Sequence, residues 1–545
     1  MTHDSSAGAD ASLSGAQALV AQFAARGVKR IYGVPGGDCS LDIIAAAHEA
    51  GIAFVLARTE SAAAMMAAAE AELTDSLGVL LTTRGPGLAN GVNGVACAML
   101  DRCGIVVISD GYENEQAFVS HQRFDQQRML EPVTKGALRV DSPQALPAVG
   151  PLLDLALARP RGPVYLEVTG QGMRNKVPAS SLPVQPARQA PLPAHPADAV
   201  AAASKLMAHA RRPVVIAGLQ TREAGAAQGL RDLAAAWQCP VFSTYMGKGA
   251  LPDADPRMMG LFMAGGAEDE AMKSADLIVT YGLDPIELLP KPWRYGAPVL
   301  ELSTHPFGRN HFTPAVALVG DLGAAAAQLG EGLGRSGWQA DELKALKSHM
   351  QARAVAEGAG ITPTLLAQTA CRLLPQRARI TVDAGAHMLP VMAFFDAAAP
   401  RDVLISRGLA TMAYALPTAI GAALADPSRP VVAFTGDGGL MMCASELATA
   451  VQAVCKLTVV VFNDSAIAMI GVKQGQRGLE RRGMDYSPSD FSLVAQGYGC
   501  QGLRVSEPAE LGAALQRAFA ADGPALVDVI VDPSTYPAQL RSLRG

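Results

Sequence analysis

The chain has 545 residues, half of them hydrophobic and 17% charged, which supplies several buried cores and excludes a disordered chain. Its 45 basic and 50 acidic residues leave a net charge of −5, so no basic excess exists to neutralise phosphates and nucleic-acid binding is not expected. No apolar run reaches the roughly 18 residues that a membrane-spanning helix needs, so no membrane span is expected.

Residues 1–15 are small and polar, with neither a basic stretch nor an apolar one, so a secretory signal is not expected and the cytoplasm is the expected compartment. Short β-branched runs then recur, each followed by a helical stretch. A first set falls at residues 54–59, 78–83, 105–110 and 164–168. Residues 178–196 are Pro-rich and aperiodic and read as an extended linker. A second set follows at 214–217, 241–245, 277–281 and 299–302. Residues 330–360, Gly-rich and then helical and charged, suit a second connector. A third set lies at 380–383, 431–435, 457–462 and 526–531. Continuous apolar strands alternating with helices predict parallel sheets covered on both faces. The expected fold is therefore α/β, with three doubly wound parallel-sheet domains near residues 10–177, 197–335 and 360–540. Such sheets bind ligands beyond the carboxyl ends of their strands.

Several common signatures fail. The eight cysteines form no CxxC pair and lie in apolar segments, which predicts buried reduced thiols rather than a zinc or thioredoxin-type site. The HExxH, GxSxG and Walker patterns are absent. One GxGxxG exists, from Gly332 to Gly337, but it follows a helical stretch. A dinucleotide site needs a strand before that turn and a helix after it.

The most informative stretch is 431–470. A buried strand runs into Gly436-Asp437-Gly438-Gly439, where glycines allow a tight turn and close backbone approach to a ligand. An Ala-rich helix is predicted over 440–454, offering free N–H groups and a positive dipole end. The next strand ends in Asn463-Asp464, 27 residues beyond Asp437. A right-handed βαβ unit brings Asp437 and Asp464 to one sheet edge, with strands about 4.8 Å apart. Two carboxylates and phosphate oxygens suit Mg²⁺, so the pattern reads as a Mg²⁺–diphosphate site. The plainer alternative is a Gly-rich turn with Asp437 as a helix cap.

This pattern resembles the motif of the thiamine-diphosphate enzymes, and within them the acetolactate synthase family, closest to its catabolic, FAD-independent type. The supporting segments are His121-Gln122 with Asp125, Pro132-Val133-Thr134-Lys135, the run from Tyr281 to Glu287, and Phe462-Asn463-Asp464-Ser465. The resemblance spans about residues 16–533 and implies pyrimidine-binding, middle and diphosphate-binding domains. It implies thiamine diphosphate and Mg²⁺ as cofactors, a 2-oxo acid as substrate, and a homodimer or dimer of dimers with shared sites. Asp437, Asp464 and the Ala466 carbonyl would hold Mg²⁺ beside Gly436, Gly438 and Gly439. Glu60 would pair with the aminopyrimidine ring and Met412 would be the apolar wedge that keeps the cofactor bent. The Ala410 carbonyl would accept from the 4′-amino group. Gln122 would face the reacting carbonyl, with Met469 and Ile470 lining the pocket over the thiazolium. Taken alone, Glu60 reads as a helix cap or surface carboxylate and Met412 as core packing.

Two positions depart from the family pattern. Thr59 stands where a His often precedes the glutamate, and Arg84-Gly85-Pro86-Gly87 replaces a Ser-Gly-Pro-Gly. Arg84 could bind a substrate carboxylate or form a salt bridge with a neighbouring acid. His121 and Lys473 are further candidates for the substrate mouth. The middle domain carries no flavin signal. The expected activity is a decarboxylating carboligation of two 2-oxo acids, a transferase or lyase reaction. A different carboligase, a 2-oxo acid decarboxylase or a C–C hydrolase are its rivals. A nicotinamide oxidoreductase would need a strand-anchored GxGxxG, and a non-catalytic binding protein would turn Glu60 away from the cofactor.

Overall fold

The computed structural model describes residues 12–113, 115, 121–179, 186 and 191–544. It divides into two compact units, residues 1–189 with 420–425, and 190–419 with 426–545. The predicted linker at 178–196 lies largely outside the described residues.

The first unit holds strands β1 (Ser12–Ser14), β2 (Arg30–Val34), β3 (Ala53–Leu56), β4 (Gly78–Thr82), β5 (Ile105–Asp110), β6 (Ala137–Val140), β7 (Val164–Val168) and β8 (Lys176–Pro178). Six of these form a parallel sheet in the order β3-β2-β4-β5-β7-β6, while β1 and β8 pair antiparallel. The chain winds one way from β2 to β3 and the other way from β4, so the switch point lies between β2 and β4. The helix Glu60–Thr74 is buried over most of its length and packs on the helix Pro86–Leu100. Its alanines allow that close approach, and Gly94 is required for it. A Cβ there would lie 2.4 Å from the Ser61 carbonyl and 2.6 Å from the Ala64 Cβ.

The second unit holds two sheets. The first comprises β9 (Pro213–Ala217), β10 (Val241–Ser243), β11 (Met258–Leu261), β12 (Leu277–Tyr281), β13 (Val299–Ser303) and β14 (Val316–Val319). Its parallel order is β11-β10-β9-β12-β13-β14. Counted along the chain this is 3-2-1-4-5-6, the order of dinucleotide-binding sheets. The second comprises β15 (Arg379–Val382), β16 (Val403–Ile405), β17 (Val431–Gly436), β18 (Leu457–Asn463), β19 (Gln501–Val505) and β20 (Ala525–Ile530). Its order, β16-β15-β17-β18-β20-β19, repeats that of the first unit's sheet. Strands β17 and β18 are buried on both faces, Val432, Phe434, Val460 and Phe462 among their core residues. Each such side chain contributes about 1.5–3 kcal/mol by leaving water.

The GxGxxG follows the helix Leu322–Gly330, not a strand. The helix expected over 440–454 is corrected. It begins at Asp437, runs only to Met441, and resumes as Glu446–Gln452. Between them the backbone closes i→i−3 bonds, Cys443 N–H to Leu440 O at 3.0 Å and Glu446 N–H to Cys443 O at 2.9 Å. Among the described residues no helix is long and apolar enough to cross a membrane.

Candidate active site

Four adjacent strands of the third sheet, β16, β15, β17 and β18, open at their carboxyl ends onto a cavity of about 360 Å³. It lies at the switch point between β15 and β17, where open α/β sheets place their ligands. The structure brings Ala410, Met412, Gly436 to Gly439, Asp464, Ala466, Met469, Ile470 and Lys473 to this cavity. Ile470 and Lys473 are exposed on its outer wall.

Asp437 ends β17 and is 2% exposed. One carboxylate oxygen accepts the Gly438 N–H at 2.7 Å, and the other accepts the N–H groups of Ser465 at 2.6 Å and Asp464 at 3.1 Å. Burial nonetheless raises its pKa. Asp464 ends β18 and receives the Ala466 N–H at 3.1 Å. Burial, and then the neighbouring Asp437 charge, push its pKa up to about 7. Two partly dry carboxylates held side by side repel, which is the environment a divalent cation relieves. Among the described residues no group of three His, Cys, Asp or Glu side chains could ligate a metal. The groups that could hold a cation are the two carboxylates and the Ala466 carbonyl, which also accepts from the Tyr486 hydroxyl at 3.4 Å.

Met412 is set by its backbone. Ala410 and Ala413, on either side of it, carry φ of 53° and 64°, a left-handed conformation that costs alanine energy. Asp383, at the end of β15, stabilises this turn. Its buried carboxylate accepts from Tyr414 N–H at 2.6 Å, Ala415 N–H at 2.8 Å, Ala413 N–H at 3.2 Å and the Thr435 hydroxyl at 2.7 Å. The sequence reading passed over Asp383, although it is another acidic strand end. Gly439 must be glycine beside it, since a Cβ would lie 2.2 Å from the Asp383 carboxylate.

Two further residues escaped the sequence reading. His387 lines the cavity, and burial lowers its pKa to about 3, so the ring is neutral. Its Nε2 is buried and has no hydrogen-bond partner among the described residues. A buried unpartnered ring nitrogen at this crevice, protonated in the Nε2–H tautomer, fits an anionic ligand such as a diphosphate. Tyr486, 22 residues beyond Asp464, stands beside the Asp437 carboxylate and partly offsets the rise in its pKa. No local pattern announced either residue.

The remaining candidates belong to the first unit. Thr59 caps the helix Glu60–Thr74 by accepting the Ala62 N–H. Glu60 opens that helix and is 7% exposed, so it is not a surface carboxylate. The Asn90 side-chain amide donates to its Oε2 at 2.5 Å. Gly87 lies against its Oε1, where a Cβ would approach to 3.0 Å. Gln122 is exposed with φ 65° and abuts Gly85, whose Cβ would come 2.8 Å from that of Gln122. The exposed His121 accepts through its carbonyl from the Tyr112 hydroxyl at 2.8 Å. Of the two readings of Arg84, the structure contains the salt bridge. Its guanidinium bonds Asp38 at 2.8 Å and the Gly111 carbonyl at 2.8 Å.

Three family models cover the chain in order. The thiamine pyrophosphate enzyme N-terminal TPP binding domain matches residues 13–129, the central domain 200–329, and the C-terminal TPP binding domain 383–529. The chain thus belongs to the thiamine-pyrophosphate-dependent enzymes of the acetolactate synthase family. It is 30% identical to the acetolactate synthase isozyme 3 large subunit of Escherichia coli, with 97% of each chain covered. It is 28% identical to the catabolic acetolactate synthase of Raoultella terrigena, again over 97% of each. A putative thiamine pyrophosphate-containing protein of Bacillus subtilis is 28% identical over 94% of this chain and 91% of its own.

Proposed function

We propose that the protein decarboxylates a 2-oxo acid and joins the remaining acyl unit to a second 2-oxo acid, with Mg²⁺ held by Asp437, Asp464 and the Ala466 carbonyl. The observation that carries this reading is the pair of strand-end carboxylates, Asp437 buried and Asp464 half-buried, beside a methionine fixed between two left-handed residues. Thiamine diphosphate would supply the electron sink for the decarboxylation. Glu60 would share a proton with the pyrimidine ring nitrogen, and the Ala410 carbonyl would accept from the amino group. Met412 would be the apolar support of the cofactor, and His387 Nε2 would be available to the diphosphate. Gln122 would orient the reacting carbonyl, while Met469 and Ile470 would limit water at it.

The middle domain is proposed to carry no flavin. Its switch point, between β9 and β12, is filled by Glu287 of the chain itself. That carboxylate accepts the N–H groups of Leu219 at 2.8 Å and Asp284 at 3.0 Å and the Thr244 hydroxyl at 2.5 Å. It takes the donors that an open sheet would offer to a nucleotide phosphate. The proposed active species is a homodimer or dimer of dimers, in which Glu60 of one chain and Asp437 of the other serve one site. The proposed compartment is the cytoplasm, consistent with eight free cysteines, seven of them buried.

A second reading, decarboxylation or C–C cleavage of another substrate, is favoured by Arg84 and Thr59, which depart from the family pattern. One screen separates the two. Apoenzyme is supplied with thiamine diphosphate and Mg²⁺, and a panel of 2-oxo acids is followed for CO₂ and for coupled product. Acetolactate from pyruvate supports the first reading. Carbon dioxide without a coupled product supports decarboxylation alone, and inertness toward every 2-oxo acid rejects carboligation and decarboxylation alike.

A further inference from the structure

We propose that Arg407 and Arg544 form a corner of the cavity that binds a substrate carboxylate which survives the reaction. The proposal rests on the function proposed above and names how that site selects its substrate.

Strand order sets a charge gradient along the sheet edge. Asp464 follows β18, Asp437 follows β17, His387 lies beyond β15, and Arg407 lies beyond β16. At about 4.8 Å per strand, Arg407 enters the cavity from two strands, roughly 10 Å, away from Asp437. That distance separates it from the end suited to a metal. Arg407 is half-buried, and its Nε donates to the Glu287 carbonyl at 2.9 Å. Its guanidinium stands 5.7 Å over the Tyr245 ring. The Tyr245 hydroxyl in turn accepts from Arg544 at 3.3 Å. The two guanidinium groups thus converge on one tyrosine, and both line the cavity. The Arg544 Nε is buried and has no hydrogen-bond partner among the described residues, so a donor is already desolvated there.

Guanidinium groups match carboxylates with parallel hydrogen bonds. Which carboxylate they take follows from the chemistry. The donor's own carboxylate leaves as CO₂, and its charge drains away as the C–C bond breaks. Arginines paired with it would stabilise the ground state more than the transition state and slow the step. A cationic corner is therefore suited to a carboxylate that is kept. That carboxylate belongs either to the acceptor 2-oxo acid or to the far end of a dicarboxylic donor.

The test is steady-state kinetics on the holoenzyme of the parent, Arg407→Gln, Arg407→Lys and Arg544→Gln. Three mixtures distinguish the sources: pyruvate alone, pyruvate with acetaldehyde as acceptor, and 2-oxoglutarate against 2-oxobutyrate as donor. Loss of a charge-assisted hydrogen bond should raise KM for the carboxylated partner about tenfold to a hundredfold. The rise should be at least about tenfold smaller with acetaldehyde where the corner holds the acceptor's carboxylate, and with 2-oxobutyrate where it holds the far carboxylate of the donor. The Arg407→Lys variant should retain part of what Arg407→Gln loses, since it keeps the charge without the fork. A rise for the second pyruvate assigns the corner to the acceptor, and a rise confined to 2-oxoglutarate assigns it to the donor. Thiamine diphosphate affinity, read by fluorescence quenching, should not move. An equal loss with every substrate, an altered cofactor affinity, or no loss in either glutamine variant overturns the proposal while leaving the proposed function standing. A parent enzyme inert toward all 2-oxo acids overturns the proposed function itself. Arg544→Gln keeps the test available should Arg407→Gln disturb the Glu287 turn.

Discussion

The carboxylate of Asp437 accepts the backbone N–H of Ser465, 28 residues later, at 2.6 Å. One side chain at the end of β17 thereby fixes the turn that leaves β18. Ser465 itself holds φ at 55°, so that turn is strained and depends on its partner. The two halves of the proposed metal site are one hydrogen-bonded unit rather than two independent acids.

Asp437→Ala should therefore abolish Mg²⁺-dependent thiamine diphosphate binding and also loosen the 464–467 turn. Each hydrogen bond lost to a charged group is worth about 1.5–3 kcal/mol. Isothermal titration should show at least about a hundredfold weaker cofactor binding. Tight binding by this variant would remove Asp437 from the site.

Glu60→Gln should bind thiamine diphosphate normally but exchange its C2 proton slowly. Glutamine still offers Asn90 an acceptor but cannot share a proton with the ring nitrogen. Loss of acid–base assistance slows such steps about 10²–10⁴-fold. Proton exchange followed by NMR measures it directly, and an unchanged rate would refute the role.

Gly439→Ala should destabilise the third sheet's ligand edge. Its Cβ would lie 2.2 Å from the Asp383 carboxylate, which cannot retreat without abandoning Ala413, Tyr414 and Ala415. Overpacking of this kind costs about 1–3 kcal/mol. A lowered Tm, with weakened cofactor binding because Met412 shifts, is the expected result. A parental Tm would contradict the packing described here.

Cofactor and metal binding should strengthen as pH rises toward 7. Burial and Asp437 raise the Asp464 pKa to about 7 from the usual 3.8, so the ligand-free protein holds a proton there that the unfolded chain releases. The unfolded chain thus binds fewer protons between about pH 4 and 7, and this group's contribution to apoprotein stability falls across that window. A cation needs the ionised form, so its binding at pH 6 should release close to one proton, and at pH 8 far less. Titrations in buffers of different ionisation enthalpy read this number. Proton release that does not change with pH would exclude the linkage.

Assembly has an arithmetic test. Refolding equal amounts of Glu60→Gln and Asp437→Ala chains together makes about half the dimers mixed. With sites shared between chains, each mixed dimer has one intact site, so about a quarter of parental activity returns. With each site built within one chain, the mixture stays as inactive as its parents.

The sequence determined most of what is local. Twelve strands were legible, eleven of them mostly buried, because continuous β-branched runs survive in any parallel strand covered on both faces; the edge strand β3 is the exposed exception. Five of the six unread strands of the three six-stranded sheets, β6, β11, β14, β16 and β19, are edges. Four of these five are only partly buried along their length and so carry weaker apolar runs. The sixth, β2, is internal, but it is broken by Gly33, where a Cβ would lie 1.9 Å from the Leu81 carbonyl. Asp437 and Asp464 were legible because both follow readable strands across one crossover. Asp383, His387, Tyr486 and the corner of Arg407 and Arg544 were decided only by tertiary structure. They reach the cavity from separate elements, and strand order, which no local pattern encodes, determines which strand ends become neighbours. The same holds for Arg84, whose two readings were equal in the sequence until the fold brought Asp38, 46 residues away, to within 2.8 Å of its guanidinium.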